Sequence, residues 1–489
     1  MISKQFLKST TIYSIVGALP LAWGFILLPF YTRWLTPDDF AAFALYTGFS
    51  ALMQILVNAG LDSYLVVHYI EFRHDTALLR QQVGTTVVSL LAIGALFVLL
   101  SLGSGQPLFR VLFRDGSLTF FPYGFMSVLT AVGNSFFKTY TQLLIYQQRL
   151  KRFFWANLFH TVLIISLSLG GLYLFPFTLI GPMWGRLLSG LGLFLLALYW
   201  FAEEFGFTFR RDLLKSMLGY CYPLLAYFLL VWVLTYIDRF IINHFLTMED
   251  VAIFDFAVKC TLLLEFTQMG MANSIYPKVF ALWRSPDLNA TSAAVSRYFH
   301  VFSALSLFAI PAFVLAVPLL VPLVVSNMTY YKGFDYLLVL SLGFATRAVY
   351  HLYLAPFSLF KKTSRLPLPT LLSAIFQVAM TILLVQHFGL IGAVWAFLLA
   401  KIGQVFFLAW WGKEILPGTY NKRKMIVLPA LYIGVALLME YSLALSRWPR
   451  HLFIALVLCV MVLWVYWREI APWGKTGLCR LQQLKSRRS

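Results

Sequence analysis

Acidic residues are scarce in this chain: 19 Asp and Glu stand against 38 Lys and Arg in 489 residues, and all four types together make up only 12%. So small a charged fraction cannot clothe a water-soluble protein of this length. Cysteine is nearly absent as well. Cys221, Cys260, Cys459 and Cys479 are the only four, and no two lie close enough in sequence to form a metal or redox motif, so neither a metal site nor a structural disulfide is expected. Long polar stretches are missing too, the longest loops being 278–296 and 103–117. A membrane enzyme that polymerises or ligates glycans would need a sizeable loop or domain, so an enzyme is not expected. There is no P-loop, no Gly-rich dinucleotide turn, and no HExxH or GxSxG pattern in a supporting context. A pump that hydrolyses its own nucleotide is excluded with them, and no cofactor is expected.

Apolar sequence fills the chain instead. Hydrophobic residues make up 60%, and runs of about 20, enough to cross the hydrocarbon core of a bilayer, follow one another from end to end. They predict an all-α polytopic membrane protein of fourteen helices, at 9–32, 40–67, 82–103, 118–145, 153–175, 178–201, 216–243, 250–275, 297–323, 331–358, 366–386, 389–411, 425–444 and 451–467.

The chain also repeats itself. LTPDDFAAF at Leu35–Phe43 returns as LTMEDVAIF at Leu246–Phe254, an offset of 211 residues. The same offset carries IGPMWGRLL at Ile180–Leu188 onto IGAVWAFLL at Ile391–Leu399, Gly192 onto Gly403, and Trp200 onto Trp411. Added to the first six predicted spans, it lands on the seventh to twelfth. Two similar halves are implied, as in many transporters: a first lobe at 1–205, a second at 206–415, two further helices within 416–470, and a basic tail at 471–489.

Lys and Arg near helix ends are retained on the cytoplasmic side. With the N-terminus inside, inner segments hold 26 of the 38 and outer segments six. Both termini are therefore expected in the cytoplasm. Six helices per repeat put the halves the same way up, related by a pseudo-two-fold axis along the membrane normal. The basic residues form short clusters at inner helix edges rather than a stripe, which fits anionic lipid headgroups, at about 1 kcal/mol each, and not nucleic acid. Met1 to Lys8 is too short for a removed signal peptide, so the first span reads as an uncleaved anchor. Trp23 and other tryptophans near predicted span edges read as interfacial anchors.

Ionisable residues inside spans need a reason, because each costs about 2.5–3.5 kcal/mol near the bilayer centre on insertion scales. The cations are Lys138, Arg186, Arg239, Lys259, Arg347 and Lys401; the anions are Asp62, Asp238, Asp255, Glu265 and Glu440. Asp255 and Lys259 are one helical turn apart and are expected to pair, with Asp238 and Arg239 able to join them. Lys138 and Arg347 come from the equivalent fourth and tenth helices, and Arg186 and Lys401 from the sixth and twelfth. None of these four has an obvious local acid. Facing a water-filled cavity between the halves they would attract a polyanion, since Arg matches phosphate oxygens in a fork and Lys adds point charge.

Two passages carry a family resemblance. GFILLPFYTRWLTPDDFAAFALY (Gly24–Tyr46) and YIDRFIINHFLTMEDVAIFDFAVK (Tyr236–Lys259) are similar to the first two and the seventh and eighth helices of polysaccharide (O-antigen) flippases in the MOP exporter superfamily. The chain departs from many relatives at Ala41–Ala42 and Ala252–Ile253. The resemblance implies two six-helix lobes packed as a V around a central cationic cavity. By it, alternating access carries an undecaprenyl-diphosphate-linked oligosaccharide from the inner to the outer leaflet of the bacterial inner membrane. It also implies membrane lipids, a polysaccharide polymerase and a chain-length regulator as partners. Lys138, Arg186, Arg347 and Lys401 would then bind substrate, while Arg33, Asp238, Arg239, Asp255 and Lys259 would form gating or structural pairs, Arg33, Asp238 and Arg239 falling on family motif positions. The thirteenth and fourteenth spans lie outside the repeat and could line a groove for the lipid tail or form a partner surface. A lipid II flippase and a drug or cation antiporter of the same superfamily are the alternatives.

Overall fold

The repeated Leu-Thr-x-x-Asp motif is a helix start. Asp39 N–H donates to the Thr36 hydroxyl oxygen at 3.1 Å and that hydroxyl donates to the Asp39 carboxylate at 2.7 Å. At the second copy Asp250 N–H donates to the Thr247 hydroxyl at 3.2 Å, while Thr247 N–H and hydroxyl donate to Asp250 at 3.1 and 2.6 Å. The second is a reciprocal capping box and the first a threonine N-cap whose hydroxyl is held by the acid; both satisfy an orphan helix donor and set an acid at the positive end of the dipole. Alanine at Thr36 or Thr247 is expected to cost about 1 kcal/mol. The expected readout is a lowered melting temperature for each purified variant, and an unchanged one would show that packing alone fixes these helix starts.

A computed structural model describes residues 23–72, 75–113, 118–283, 288–360, 362–418 and 420–486. Among the described residues every regular element is helical. In chain order these are α1 (23–34), α2 (Pro37–Asn58), α3 (Leu61–Phe72), α4 (Thr76–Leu112), α5 (Phe125–Tyr146), α6 (Leu150–Leu174), α7 (Ile180–Glu204) and α8 (Arg211–Phe245). The series continues with α9 (Met248–Trp283), α10 (Leu288–Leu320), α11 (Leu337–Leu342), α12 (Arg347–Leu359), α13 (Pro367–Gly412), α14 (Leu428–Ser442) and α15 (Arg447–Ser486).

Two spans read as unbroken are broken. The second divides between α2 and α3, where Ala59 (φ 48°) and Gly60 (φ 82°) take left-handed backbone and close the helix end. The tenth is a 3-10 stretch, Met328–Tyr336, then α11, then α12 after a break, with a 49° bend. Conversely α13 joins the eleventh and twelfth spans through Gly389 (φ 61°, ψ −140°). Among the described residues nine helices are long and apolar enough to cross a membrane, or ten if the bent pair is one span. The fourteen expected are not reached on that count for four reasons: α1 is described only from Trp23, α13 counts once, and both α5, with Asn134, Lys138 and Gln142, and α9, with Asp255, Lys259 and Glu265, fall outside it.

The other repeated motif, Ile-Gly, marks close helix approach. A Cβ on Gly181 would stand 2.5 Å from the Gly171 carbonyl oxygen and 2.7 Å from Leu172 N, so α7 packs backbone to backbone on α6. Its repeat partner Gly392 packs likewise on the Leu384 carbonyl within α13, 2.9 Å from Val385 N.

By contacts the chain forms two compact units, Met1–Asp255 with Val325–Thr329, and Phe256–Val324 with Tyr330–Ser489. The repeat boundary at 205 and the contact boundary at 255 differ because α8 packs on the first unit. Trp232 Nε1–H donates to Gly48 O at 2.8 Å, and Gly60 lies against Leu224. The first unit's core gathers Leu65, Val87, Phe136, Leu143, Ala197 and Met217 from α3, α4, α5, α7 and α8. In the second, Val279, Phe302, Leu352 and Leu408 from α9, α10, α12 and α13 do the same.

Candidate functional site

Within the first unit α5 and α7 approach so closely that a Cβ on Gly133 would collide with the Gly190 carbonyl. Neighbours of that contact, Thr130 and Asn134 on α5 and Ser189 on α7, line a cavity of about 490 Å³. Its walls also carry Thr47, Gln54, Gln142 and Asn157, with Trp23 and Tyr236 as ring faces. Hydroxyls, amides and aromatic faces inside apolar helices make a lining able to bind a polar, hydroxylated solute.

Two of the expected cations, Lys138 and Arg186, meet in this cavity. Arg186 is buried. It donates to the Thr47 hydroxyl, and its guanidinium carbon lies 5.7 Å from the Trp23 ring centroid and 5.5 Å from that of Phe43. Ring faces thus hold a desolvated cation without neutralising it. Trp23, read as an interfacial anchor, is also part of the cavity wall. Lys138 differs: its Nζ is 2.9 Å from Asp62 Oδ2 on α3. The expectation that Lys138 has no acid partner is therefore corrected, because the break at Ala59–Gly60 turns α3 so that Asp62 meets α5.

The second unit repeats the scheme. Arg347 is the first residue of α12, and its Nη2 is 3.4 Å from Glu265 Oε1 on α9, so it too has an acid partner. A cation there opposes the helix dipole, and the Tyr350 ring at 4.8 Å adds further support. Lys401 lies 5.1 Å from the Phe397 centroid and 5.9 Å from that of Phe344, its stem packed on Gly343 at the break before α12. In each unit, then, the cation from the fourth or tenth span pairs with an acid, and the one from the sixth or twelfth sits on aromatic rings.

Among the residues expected to gate, Arg239 and Asp255 form a buried pair across α8 and α9, Nε to Oδ1 2.9 Å, while Arg239 Nη1–H donates to Thr235 O at 2.7 Å. The Asp255 partner read from sequence was Lys259 on its own helix; the fold adds this bond from the preceding one. Lys259 is half-buried, Asp238 is buried, and Arg33 is exposed near the end of α1. What the sequence reading missed was the acid partners Asp62 and Glu265, and the amides of Gln54, Asn134, Gln142 and Asn157. The available signal was the polarity of these amides within otherwise apolar helices.

Solved structures share this fold. An inward-facing multidrug resistance MATE family transporter of the MOP superfamily superposes with a TM-score of 0.68 at 17% identity, over 81% of this chain and 94% of that one. The lipid II flippase MurJ in its inward closed conformation gives 0.67 at 14% identity, over 94% and 99%. The MATE multidrug transporter DinF-BH gives 0.63 at 14%, over 85% and 97%. At such identities the likeness is one of fold. No curated protein matches the sequence. The profile of the family described as polysaccharide biosynthesis protein matches residues 30–330, more than half of the chain. This chain is therefore a multi-pass membrane protein with the fold of the MOP superfamily transporters, and it belongs to the polysaccharide biosynthesis protein family.

Proposed function

We propose that this protein is a flippase that carries an undecaprenyl-diphosphate-linked oligosaccharide, an O-antigen or exopolysaccharide repeat unit, from the cytoplasmic to the outer leaflet by alternating access. The observation that carries the reading is the first unit's cavity, where Lys138 and Arg186 stand among amides, hydroxyls and ring faces in a chain of the polysaccharide biosynthesis family. A diphosphate needs cations to leave water, and the adjoining sugars need hydrogen-bonding walls. Arg347 and Lys401 supply the same chemistry in the second unit, and Arg33, Asp238, Arg239, Asp255 and Lys259 hold or gate the helices. No covalent bond changes, so the protein is a transporter and not an enzyme. With an inside-negative potential of 100 mV, outward movement of two negative charges is assisted by roughly 2 × 2.3 kcal/mol.

The setting that follows is the bacterial inner membrane, crossed fourteen times by two six-helix lobes and a C-terminal pair, with both termini cytoplasmic and a polysaccharide polymerase and chain-length regulator acting downstream. A second reading, a lipid II flippase, is favoured by the alignment with MurJ over 94% of this chain. Analysis of lipid-linked glycans in depleted cells separates the two. Build-up of one undecaprenyl-diphosphate oligosaccharide with normal peptidoglycan precursors is expected. Build-up of lipid II would replace the first reading by the second, and build-up of neither would sink both.

A further inference from the structure

We infer that Asp62 is an exchangeable counter-ion: an anionic head group entering the cavity takes Lys138 from Asp62, and one monovalent cation from water, a proton or Na+, takes the place of Lys138 on the carboxylate. This rests on the anion-binding reading of the cavity and adds a second ligand to it.

The pair is asymmetric. The Lys138 side chain is 42% exposed and that of Asp62 only 6%. The ammonium thus faces the cavity on a flexible four-carbon stem, and Lys138 lines the cavity wall while Asp62 lies behind it. Asp62 cannot follow. It sits in the first turn of α3, directly after the left-handed pair Ala59–Gly60, and its Oδ1 accepts the Ser63 N–H at 2.8 Å. When an anion draws Lys138 away, the carboxylate stays where it is.

Among the described residues no other cation stands ready to replace it. The helices packed on α3 are α4, α5 and α8. From α5 the group facing Asp62 is Lys138, and from α8 it is the Cys221 thiol, which carries no positive charge. Between Arg80 and Arg110, α4 has no ionisable residue at all. A buried carboxylate stripped of its partner is strongly unfavourable, and a small cation entering from the cavity is the remedy the geometry leaves. Arg186 makes the contrast: its described partners are a hydroxyl and ring faces, so its attraction for an anion releases nothing. Anion binding and cation uptake are therefore linked at Asp62, and each must strengthen the other.

Calorimetric titration of the full chain in nanodiscs with geranyl diphosphate tests this. It is run at about pH 8, above the second phosphate pKa of about 6, in two buffers of different ionisation enthalpy, with and without Na+ at constant ionic strength. The expected result is uptake of about one proton per diphosphate bound or, if the cation is Na+, an affinity that rises about tenfold per tenfold rise in Na+. Asp62→Asn is expected to bind at least as tightly with both dependences gone, and Asp62→Glu to restore them. Lys138→Gln, which has no partner to release, is expected to lose the linkage too, so the result does not hang on one variant folding. Wild type that binds geranyl diphosphate with neither dependence overturns this inference and leaves the anion site standing. Wild type that does not bind geranyl diphosphate overturns the anion site and this inference with it.

Discussion

Replacing Gly181 by leucine is expected to abolish accumulation of folded protein in the membrane. The new Cβ alone would stand 2.5 Å from the Gly171 carbonyl oxygen and 2.7 Å from Leu172 N. These are backbone atoms of a neighbouring helix, so no side-chain rotation relieves the clash and α6 and α7 must part. Overpacking in a close-packed interior typically costs about 1–3 kcal/mol and occasionally more; an obstruction between two helix backbones belongs at the upper end. The same interface carries the neighbouring contact of Gly185 with Ser168, so separation at one point loosens the next. Gly392→Leu should act alike in the second unit, where the Leu384 carbonyl is the obstruction. Gly103→Ala is the control, for nothing lies within 4 Å of its Cβ position and alanine favours a helix by roughly 0.5–1 kcal/mol. Size-exclusion profiles of fluorescent fusions decide the matter. A monodisperse Gly181→Leu protein with the wild-type melting temperature would show that the helices are not packed as described.

Neutralising both cavity cations, Lys138→Gln with Arg186→Gln, is expected to stop glycan export in cells that depend on this protein. A hydrogen bond to a charged group contributes about 1.5–3 kcal/mol, so each single change should weaken head-group binding roughly ten- to hundredfold. The double change does more than add these losses. With both gone, neither of the two cations that line the cavity is left to meet an anion's charge. Arg186→Lys separates charge from shape: it keeps the positive charge but loses the planar fork and its stacking on Trp23 and Phe43. Partial export is expected from it. Arg186 is buried, so melting temperature and membrane abundance must be measured beside export. Normal export from a stable double variant would remove the charge argument altogether.

The features readable in advance were those encoded by local composition and spacing. Apolar runs gave the solvent and the helix positions, since a bilayer core admits little else. The offset of 211 residues is a repeat of sequence, and the structure supplies physical content for its motifs: Thr36 and Thr247 cap helices, and Gly181 and Gly392 let backbones touch. Even the cations were legible, because charge within an apolar run is conspicuous in sequence. Their partners were not. Asp62 and Glu265 lie far from Lys138 and Arg347 along the chain and meet them only through packing of α3 on α5 and of α9 on α12.

By itself, then, the sequence determined a repeated, all-helical membrane protein with a few intramembrane charges, because hydropathy, capping and glycine spacing act over one or two helical turns. Tertiary structure alone decided where helices break, that α8 joins the first unit, and that Lys138 meets an acid while Arg186 sits against a hydroxyl and aromatic rings. Electrostatic character depends on distances between helices, and no local pattern in the chain encodes those distances.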